Sequence, residues 1–260
     1  MKISIIGGGN LGVAIAEGII KKNYAKAEDI TVTRRNIQLL DQLADKGVNI
    51  SADNVQATES SDMVILAIKP KQTKEVLQQI KFAVEKKGPI VVSVVTGVLI
   101  QDMKAILGAQ ALVYRAMPNT AIAICESMTC LAGDESNKDA SEAVLKLFSQ
   151  LGSAIYIQEE LMNASTILGA CGIAYALRFI RAASQGGIEI GFSAKVAQLI
   201  ATQTVKGAAS LLLEGGRHPE YEIDKVTTPQ GCTIAGLNEM EHQGFSSALI
   251  KGIITSYNKI

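Results

Sequence analysis

The chain has 260 residues, of which 48% are hydrophobic, so it is long enough for one large domain or two small ones with separate cores. Its 25 Lys and Arg residues balance its 25 Asp and Glu residues, and no basic stripe occurs, which argues against a nucleic-acid partner. The four cysteines form no CxxC pair and have no metal-ligand spacing with the two histidines. This favours reduced thiols in a cytoplasmic protein without a metal site.

The chain shows no membrane-targeting pattern. The N-terminus lacks the length and cleavage pattern of a signal peptide. The longest uncharged run, 161–177, contains polar residues and two glycines, so we expect a helix buried on nearly all sides rather than a membrane span.

The first predicted strand, "KISII", leads into a glycine-rich turn, "GGGNLG", that fits G-x-G-x-x-G and is followed by a helical pattern. In this context, Gly7 permits a tight turn, Gly9 a close approach to a pyrophosphate, and Gly12 close packing of helix on strand. The helix start, with Asn10 and Leu11, supplies N–H groups and the positive end of the helix dipole. The stretch therefore predicts a dinucleotide-binding site.

The second predicted strand, "DITVT", is followed by Arg34, Arg35 and an asparagine. A site that prefers NAD has an acidic residue about 20 positions after the glycines, where it binds the ribose hydroxyls. Two arginines in that place favour the 2′-phosphate of NADP, through charge-assisted hydrogen bonds. We therefore predict NADPH as the cofactor, with NADH as the alternative.

Strand and helix patterns then alternate to about residue 158. After a short helix in "NVQATESS" come strands at 63–68, in "GPIVVSVVTGV" and in "ALVYRAMPNT", and edge strands in "ESMTCLAG" and "SAIYIQ" with the helix "SEAVLKLFSQLG" between them. Apolar strands are typical of a parallel sheet covered by helices on both faces, where ligands bind at the carboxyl ends of the strands. The further cofactor contacts that we expect are Asn54, Ala67, Ile68, Lys69, Pro70, Thr96 and Gly97, and the Pro118-Asn119 loop should line the same crevice.

From residue 159 the pattern is helical to the end. A long helix should run to about Gln185 and be closed by Gly186-Gly187, and a second, capped by Ser193, should end at Gly215-Gly216. A loop and two last helices follow. Helices with so few charges are apolar all round, which predicts burial in an obligate dimer with interleaved helices, the alternative being a monomeric bundle.

The predicted fold is therefore α/β. Residues 1–158 form a doubly wound, Rossmann-type dinucleotide-binding domain, and residues 159–260 form an all-α dimerisation and substrate domain of a homodimer or a higher homo-oligomer.

Over essentially its whole length the chain resembles the pyrroline-5-carboxylate reductase family. "IGGGNLG" resembles the family's I-G-x-G-N-M opening, "AIKP" its A-V-K-P, and "RAMPNT" its R-x-M-P-N-T. Near the C-terminus, "HPEYEIDKVTTPQGCTIAGL" is similar to H-P-x-x-L-x-D-x-V-x-S-P-G-G-x-T-I-x-x-L. The resemblance implies reduction of 1-pyrroline-5-carboxylate to L-proline, by hydride transfer from NADPH or NADH to the C=N carbon.

The resemblance also implies roles for individual residues. Gly231, Cys232 and Thr233 would cradle the substrate's carboxylate at a helix start, with Asn119 as a further substrate contact. Thr233 and Thr228 are the candidate catalytic residues, the Thr233 hydroxyl lying near the ring nitrogen. A cyclic imine can arrive protonated, so positioning and electrostatics could supply most of the rate effect.

Two departures from the family leave alternatives open. The family's P-G-G is Pro229-Gln230-Gly231 here, and its S-G-S-G-P-A-Y is "GACGIAY", residues 169–175. These changes concern the expected substrate pocket, so one alternative is an NADPH-dependent reductase of a related small imino or keto acid. Another is a non-catalytic NADPH-binding sensor.

Overall fold

The computed structural model describes all residues, Met1 to Ile260, and consists of two compact units. The first contains Met1–Cys171 and Ile260, and the second contains Gly172–Lys259. The predicted sequence of an α/β part followed by an all-helical part is confirmed. The helical part begins at Glu159, but its residues up to Cys171 belong to the first unit; the domain boundary at 158/159 stays a prediction.

The first unit is built on one eight-stranded sheet with the order β3-β2-β1-β4-β5-β6-β7-β8. All neighbouring strands are parallel except β6 and β7. The order reverses between β1 and β4, as in doubly wound nucleotide-binding sheets. The strands are β1 Ile3–Ile6, β2 Ile30–Thr33, β3 Asn49–Ser51, β4 Met63–Leu66, β5 Ile90–Ser93, β6 Val113–Met117, β7 Ser127–Ala132 and β8 Gly152–Tyr156.

Helices cover both faces of this sheet, which is why its central strands β1, β4 and β5 are buried and mostly apolar, with Ser4 and Ser93 as the polar exceptions. In β1, Ile3 and Ile5 pack in one buried cluster with Ile15 of the first helix, while Ile6 packs in a second cluster with Leu77 of the fourth helix. The helices of this unit are α1 Asn10–Lys21, α2 Asp41–Ala44, α3 Asn54–Glu59, α4 Thr73–Lys87, α5 Ile100–Leu107, α6 Lys138–Gln150 and α7 Met162–Ser165.

A π-helical turn, Thr166–Cys171, joins α7 to the first helix of the second unit. Such turns are rare and occur often at functional sites. The second unit is all helical, with α8 Gly172–Glu189, α9 Ala194–Gly215, α10 Pro219–Val226, α11 Cys232–His242 and α12 Phe245–Tyr257. Ser193 is the N-cap residue of α9, and Gly216 ends the helix in the left-handed conformation with φ 61°, as predicted.

The predicted helix end at Gly186-Gly187 is wrong, because α8 continues to Glu189. Neither glycine has a positive φ, whereas Gly191 does, at 110°. Gly187 serves packing instead: a Cβ built on it would lie 3.0 Å from the Cβ of Ala197 in α9. A glycine inside a helical pattern can thus indicate close contact between two helices rather than a helix end.

By length and composition alone, two helices could cross a membrane: Glu159–Glu189, with a mean hydropathy of 1.3, and Ala194–Gly215, with 1.2. This is a weak indication, because core helices of soluble proteins pass the same test. Within the single chain only 11% of each apolar window is buried, so the expected burial of these helices requires another apolar surface.

Candidate active site

The glycine turn after β1 has the geometry of a phosphate cradle. Gly7 has φ 113°, and a Cβ on it would collide with the carbonyl group of Ala67. A Cβ on Gly12 would collide with the carbonyl of Gly7, so both positions require glycine. Gly9 differs, because no heavy atom lies within 4 Å of where its Cβ would be. It is also the N-cap of α1 and makes no side-chain cap, so the turn and the helix start border open space that suits a pyrophosphate.

Other predicted cofactor residues lie at the same edge of the sheet. The N–H of Ala67 donates to the carbonyl of Ile6 at 2.8 Å, and the methyl Cγ2 of Ile68 borders Gly7. The strands β1, β4 and β5 are parallel neighbours, so the loops that follow them lie side by side. The structure therefore places Ala67 and Ile68 against the glycine turn, and it places the loops that contain Lys69, Pro70, Thr96 and Gly97 at the same edge of the sheet. The contacts of these residues with the cofactor stay predictions.

Arg34 and Arg35 both follow β2, but their contacts differ. Arg34 is half-buried, and its Nη1 donates to the carbonyl oxygen of Gly8 at 2.6 Å. Arg35 is exposed. Neither arginine forms a salt bridge within the chain. Part of the Arg34 guanidinium is thus committed to the glycine turn, while Arg35 remains a free cation.

Asn54 connects elements of the first unit. Its Oδ1 accepts a hydrogen bond from Thr33 Oγ1 at 2.6 Å, and its Nδ2 donates to Gln79 Oε1 at 2.9 Å. The amide group joins the end of β2 to α3 and α4. Asn54 thus lies close to Arg34, at the edge of the sheet where the cofactor is expected to bind. Its contact with the cofactor itself stays a prediction.

Asn119 joins the end of β6 to the π-helical turn. Its Oδ1 accepts from the N–H of Ala121 at 3.0 Å, and its Nδ2 donates to the carbonyl of Gly169 at 3.3 Å. The "GACG" departure from the family lies largely in this turn, where a Cβ on Gly169 would meet no heavy atom within 4 Å. The predicted substrate residue and the altered segment are therefore in direct contact.

The hydroxyl-rich segment of the second unit forms a tight turn that opens directly onto α11. The N–H of Gly231 donates to the carbonyl of Thr228 at 2.9 Å and closes the turn. A Cβ on Gly231 would lie 2.6 Å from Thr228 Oγ1 and 3.0 Å from its carbonyl oxygen, so a larger residue would force the turn to shift and glycine is favoured. Gly231 is the N-cap of α11 and provides no side-chain cap. The first N–H groups of the helix, at Cys232 and Thr233, are consequently available to an anion.

Gln230 occupies a strained position in this turn. Its φ is 58°, and Pro229 precedes it, which is the pattern of a type II turn with glycine favoured at the third position. The resembling family has glycine at this position, so the departure from P-G-G places a side chain in a left-handed conformation.

Replacing Gln230 with glycine is expected to raise the unfolding free energy by roughly 0.5 kcal/mol. Glycine relieves the strain of the left-handed backbone conformation, which is worth about 1 kcal/mol. It also increases the conformational entropy of the unfolded chain, which costs only about 0.5 kcal/mol. Urea denaturation at one protein concentration measures the difference, with Gln230→Ala as the matched control that keeps the Cβ and should gain nothing. Equal stability of the two variants would show that the turn carries no such strain.

Arg115 and Glu159 form an ion pair that was not predicted from the sequence. Arg115 lies in β6 with 2% of its side chain exposed, and its Nη1 donates to Glu159 Oε1 at 3.0 Å. The same oxygen accepts the N–H of Ile100 at 2.8 Å, so Glu159 caps α5 from outside that helix. Arg115 occurs in the quoted "RAMPNT" motif, but the 44 positions between the partners hide the pairing from any local pattern.

Comparison with known proteins agrees with this arrangement. Residues 159–260 match the family model for pyrroline-5-carboxylate reductase dimerisation, and residues 2–97 match the model for NADP oxidoreductase, coenzyme F420-dependent. Pyrroline-5-carboxylate reductase 1 of Dictyostelium discoideum is 48% identical over 269 residues, covering 99% of this chain and 49% of that protein. The chain thus spans about half the length of this relative.

Two further similarities cover nearly the whole of both partners. Pyrroline-5-carboxylate reductase 2 of Dictyostelium discoideum is 44% identical over 273 residues, covering 99% of this chain and 91% of that protein. The structure of a pyrroline-5-carboxylate reductase from Coxiella burnetii superimposes with a TM-score of 0.92 at 29% identity, covering 99% of this chain and 96% of the other.

Proposed function

Because the chain belongs to the pyrroline-5-carboxylate reductase family, we propose that it reduces 1-pyrroline-5-carboxylate to L-proline with NADPH as the cofactor. One observation carries this proposal: the turn over residues 228–231 opens onto a helix start without a side-chain cap, in the segment that resembles the family's C-terminal motif. The proposal extends to the whole reaction, in which a hydride adds to the C=N carbon and the ring nitrogen ends with a proton.

NADPH, when bound, supplies the hydride. The residues of the first unit fit this cofactor, since Gly7, Gly9 and Gly12 shape a cradle beside the uncapped start of α1. Asn10 and Leu11 begin that helix, and the arginines after β2 supply positive charge for a 2′-phosphate. The match of residues 2–97 to an NADP oxidoreductase model supports the preference for NADPH, with NADH as an alternative donor.

On the substrate side, the N–H groups of Cys232 and Thr233 hold the carboxylate, with the positive end of the α11 dipole behind them. The N–H of Gly231 already donates to the carbonyl of Thr228, so Gly231 contributes the space and the shape of the turn rather than a hydrogen bond to the carboxylate. The Thr233 hydroxyl interacts with the ring nitrogen, with Thr228 beside it, and Asn119 of the first unit stays a separate candidate for contact with the substrate. Catalysis then rests on orientation and electrostatic stabilisation, because a protonated imine needs no strong acid.

A second candidate is a reductase of a related small imino or keto acid. The observation that favours it is the substituted "GACG" segment, which the structure places largely in a π-helical turn against Asn119. Oxidation of NADPH by the purified protein, with pyrroline-5-carboxylate or with a panel of cyclic imines and 2-keto acids, separates the candidates. Turnover of pyrroline-5-carboxylate supports the proposal, turnover of other acids alone supports the second candidate, and binding without turnover indicates a sensor.

We also propose that the helical part joins two copies in a homodimer, alone or within a higher homo-oligomer. The match of residues 159–260 to a dimerisation model supports this. Large apolar side chains of α8 and α9 are exposed in the single chain, among them Leu177 at 60%, Leu199 at 69% and Leu213 at 82%. A second copy would cover such a surface. A cytoplasmic location is part of the same proposal, in line with four free cysteines.

Replacing Ala174 with glutamate is expected to disrupt the assembly, by aggregation or as a poorly folded monomer. Ala174 is exposed in the single chain, where a charge would cost little, but an unpaired charge in a covered apolar interface costs several kcal/mol. Analytical ultracentrifugation measures the outcome, with Ala105→Glu on the exposed side of α5 as the matched control. A stable monomer formed by the unmodified protein at micromolar concentration would refute the proposed assembly.

A further inference from the structure

Arg34 is bound to the glycine turn itself, which distinguishes it from Arg35. Its Nη1 donates to the carbonyl of Gly8 at 2.6 Å. The N–H groups of Gly7 and Gly8 both donate to the carbonyl of Thr33, at 3.1 and 2.8 Å. The two backbone polar groups of Gly8 are therefore held by consecutive residues at the end of β2.

The hydrogen bond from Arg34 sets the direction of the next N–H group. The peptide bond between Gly8 and Gly9 is planar and trans, so its C=O and N–H point in opposite directions. With the carbonyl directed to Arg34, the Gly9 N–H points away from it. Gly9 is exposed and its Cα borders open space, so this donor lies on the side where a pyrophosphate would be held.

This peptide needs an anchor because glycine stands on both sides of it. Two glycines accept almost any backbone conformation, and rotation of the peptide between them meets little steric resistance. Gly8 is buried beside Leu40, and the Cδ2 of Leu40 would lie 2.6 Å from a Cβ added to Gly8. A larger residue at position 8 therefore does not fit, and it could not restrict the backbone in place of the hydrogen bond from Arg34. The bond from the charged Arg34 is the one hydrogen bond that the Gly8–Gly9 peptide makes within the chain, so it is the contact that fixes the direction of this peptide.

We propose that Arg34 is a positioning residue for the pyrophosphate cradle and that selection of the 2′-phosphate belongs to Arg35. This inference rests on the proposed use of NADPH. Arg35 is exposed and forms no salt bridge, so its whole guanidinium is available for bidentate binding of a phosphate. Arg34 serves NADH and NADPH alike, because both contain the pyrophosphate.

Three variants of the full chain test this division: Arg34→Met, Arg34→Lys and Arg35→Met. Dissociation constants are measured for NADPH, NADH and adenosine 2′-phosphate, which lacks the pyrophosphate. Arg34→Met should weaken NADPH and NADH equally, by about tenfold or more, and leave adenosine 2′-phosphate within about twofold of the unmodified protein. Arg35→Met should weaken NADPH and adenosine 2′-phosphate by about tenfold and change NADH by less than about twofold. Arg34→Lys, which keeps a charged donor, should recover part of the affinity for both dinucleotides.

Loss of NADPH binding without loss of NADH binding in Arg34→Met would overturn the inference, because Arg34 would then bind the 2′-phosphate. Equal loss of all three ligands would also overturn it, since general damage to the sheet edge, rather than misplacement of one peptide, would be responsible. Failure of the unmodified protein to bind either dinucleotide would instead refute the proposed function itself, and this inference with it.

Discussion

Replacing Thr233 with valine is expected to lower kcat/KM by about ten- to a thousandfold, because the ring nitrogen loses its hydroxyl partner in the transition state. Thr233 is half-buried at the second position of α11, and valine keeps its shape. The affinity for NADPH should not change, because the cofactor residues belong to the first unit. Steady-state kinetics give kcat/KM, and NADPH fluorescence gives the affinity separately.

Thr227→Val provides the matched control for this substitution. The Thr227 hydroxyl donates to the carbonyl of Asp224 at 3.1 Å, at the end of α10, and has no role in the proposed mechanism. Its loss should cost less than about 0.5–1 kcal/mol of stability and leave kcat/KM within about twofold. Unaltered kinetics of Thr233→Val, or equal losses in both variants, would mean that the start of α11 is not the substrate site.

Replacing Glu159 with alanine is expected to lower the unfolding free energy by about 3 kcal/mol, because the Arg115 guanidinium would remain in the core without its counter-charge. The N–H of Ile100 would also lose its acceptor at the start of α5. For a chain of this size the loss corresponds to a fall of roughly 6–12 °C in the melting temperature. Differential scanning calorimetry at a fixed protein concentration measures it.

A double variant distinguishes the loss of the ion pair from the loss of packing. Arg115→Met combined with Glu159→Gln removes both charges and keeps an acceptor for the N–H of Ile100, so the double variant should be more stable than Glu159→Ala alone. A double variant that melts below Glu159→Ala would contradict this account of Arg115, since burial of its unpaired charge would then not be the main cost.

The cofactor half of the fold could be predicted because its signals are local. The break from an apolar strand to the glycines, followed at once by a helical pattern, located β1, Gly7 and α1 to within a few residues. Two other elements gave no such signal. The strand β3 has only three residues and one apolar side chain, and the segment Thr166–Cys171 has an ordinary helical pattern although its backbone forms a π-turn.

Side-chain partners were harder to predict than backbone elements. The position of Arg34 after β2 suggested a phosphate ligand, but its guanidinium extends back to the carbonyl of Gly8, 26 positions earlier. Arg115 and Glu159 come together only when β6 and the segment that follows β8 pack against each other within the first unit. Residue type and spacing indicate which charges lie near a site, whereas tertiary packing decides which atoms they bind.

The most direct test of the proposed reaction is the fate of the hydride. The purified protein is given 1-pyrroline-5-carboxylate and NADPH deuterated at the transferable position of the nicotinamide, and the proline formed is examined by mass spectrometry and NMR. The proposed function requires one deuterium in L-proline, at the carbon that belonged to the C=N bond. Absence of labelled proline, with NADPH bound or with another imino or keto acid reduced instead, would contradict it.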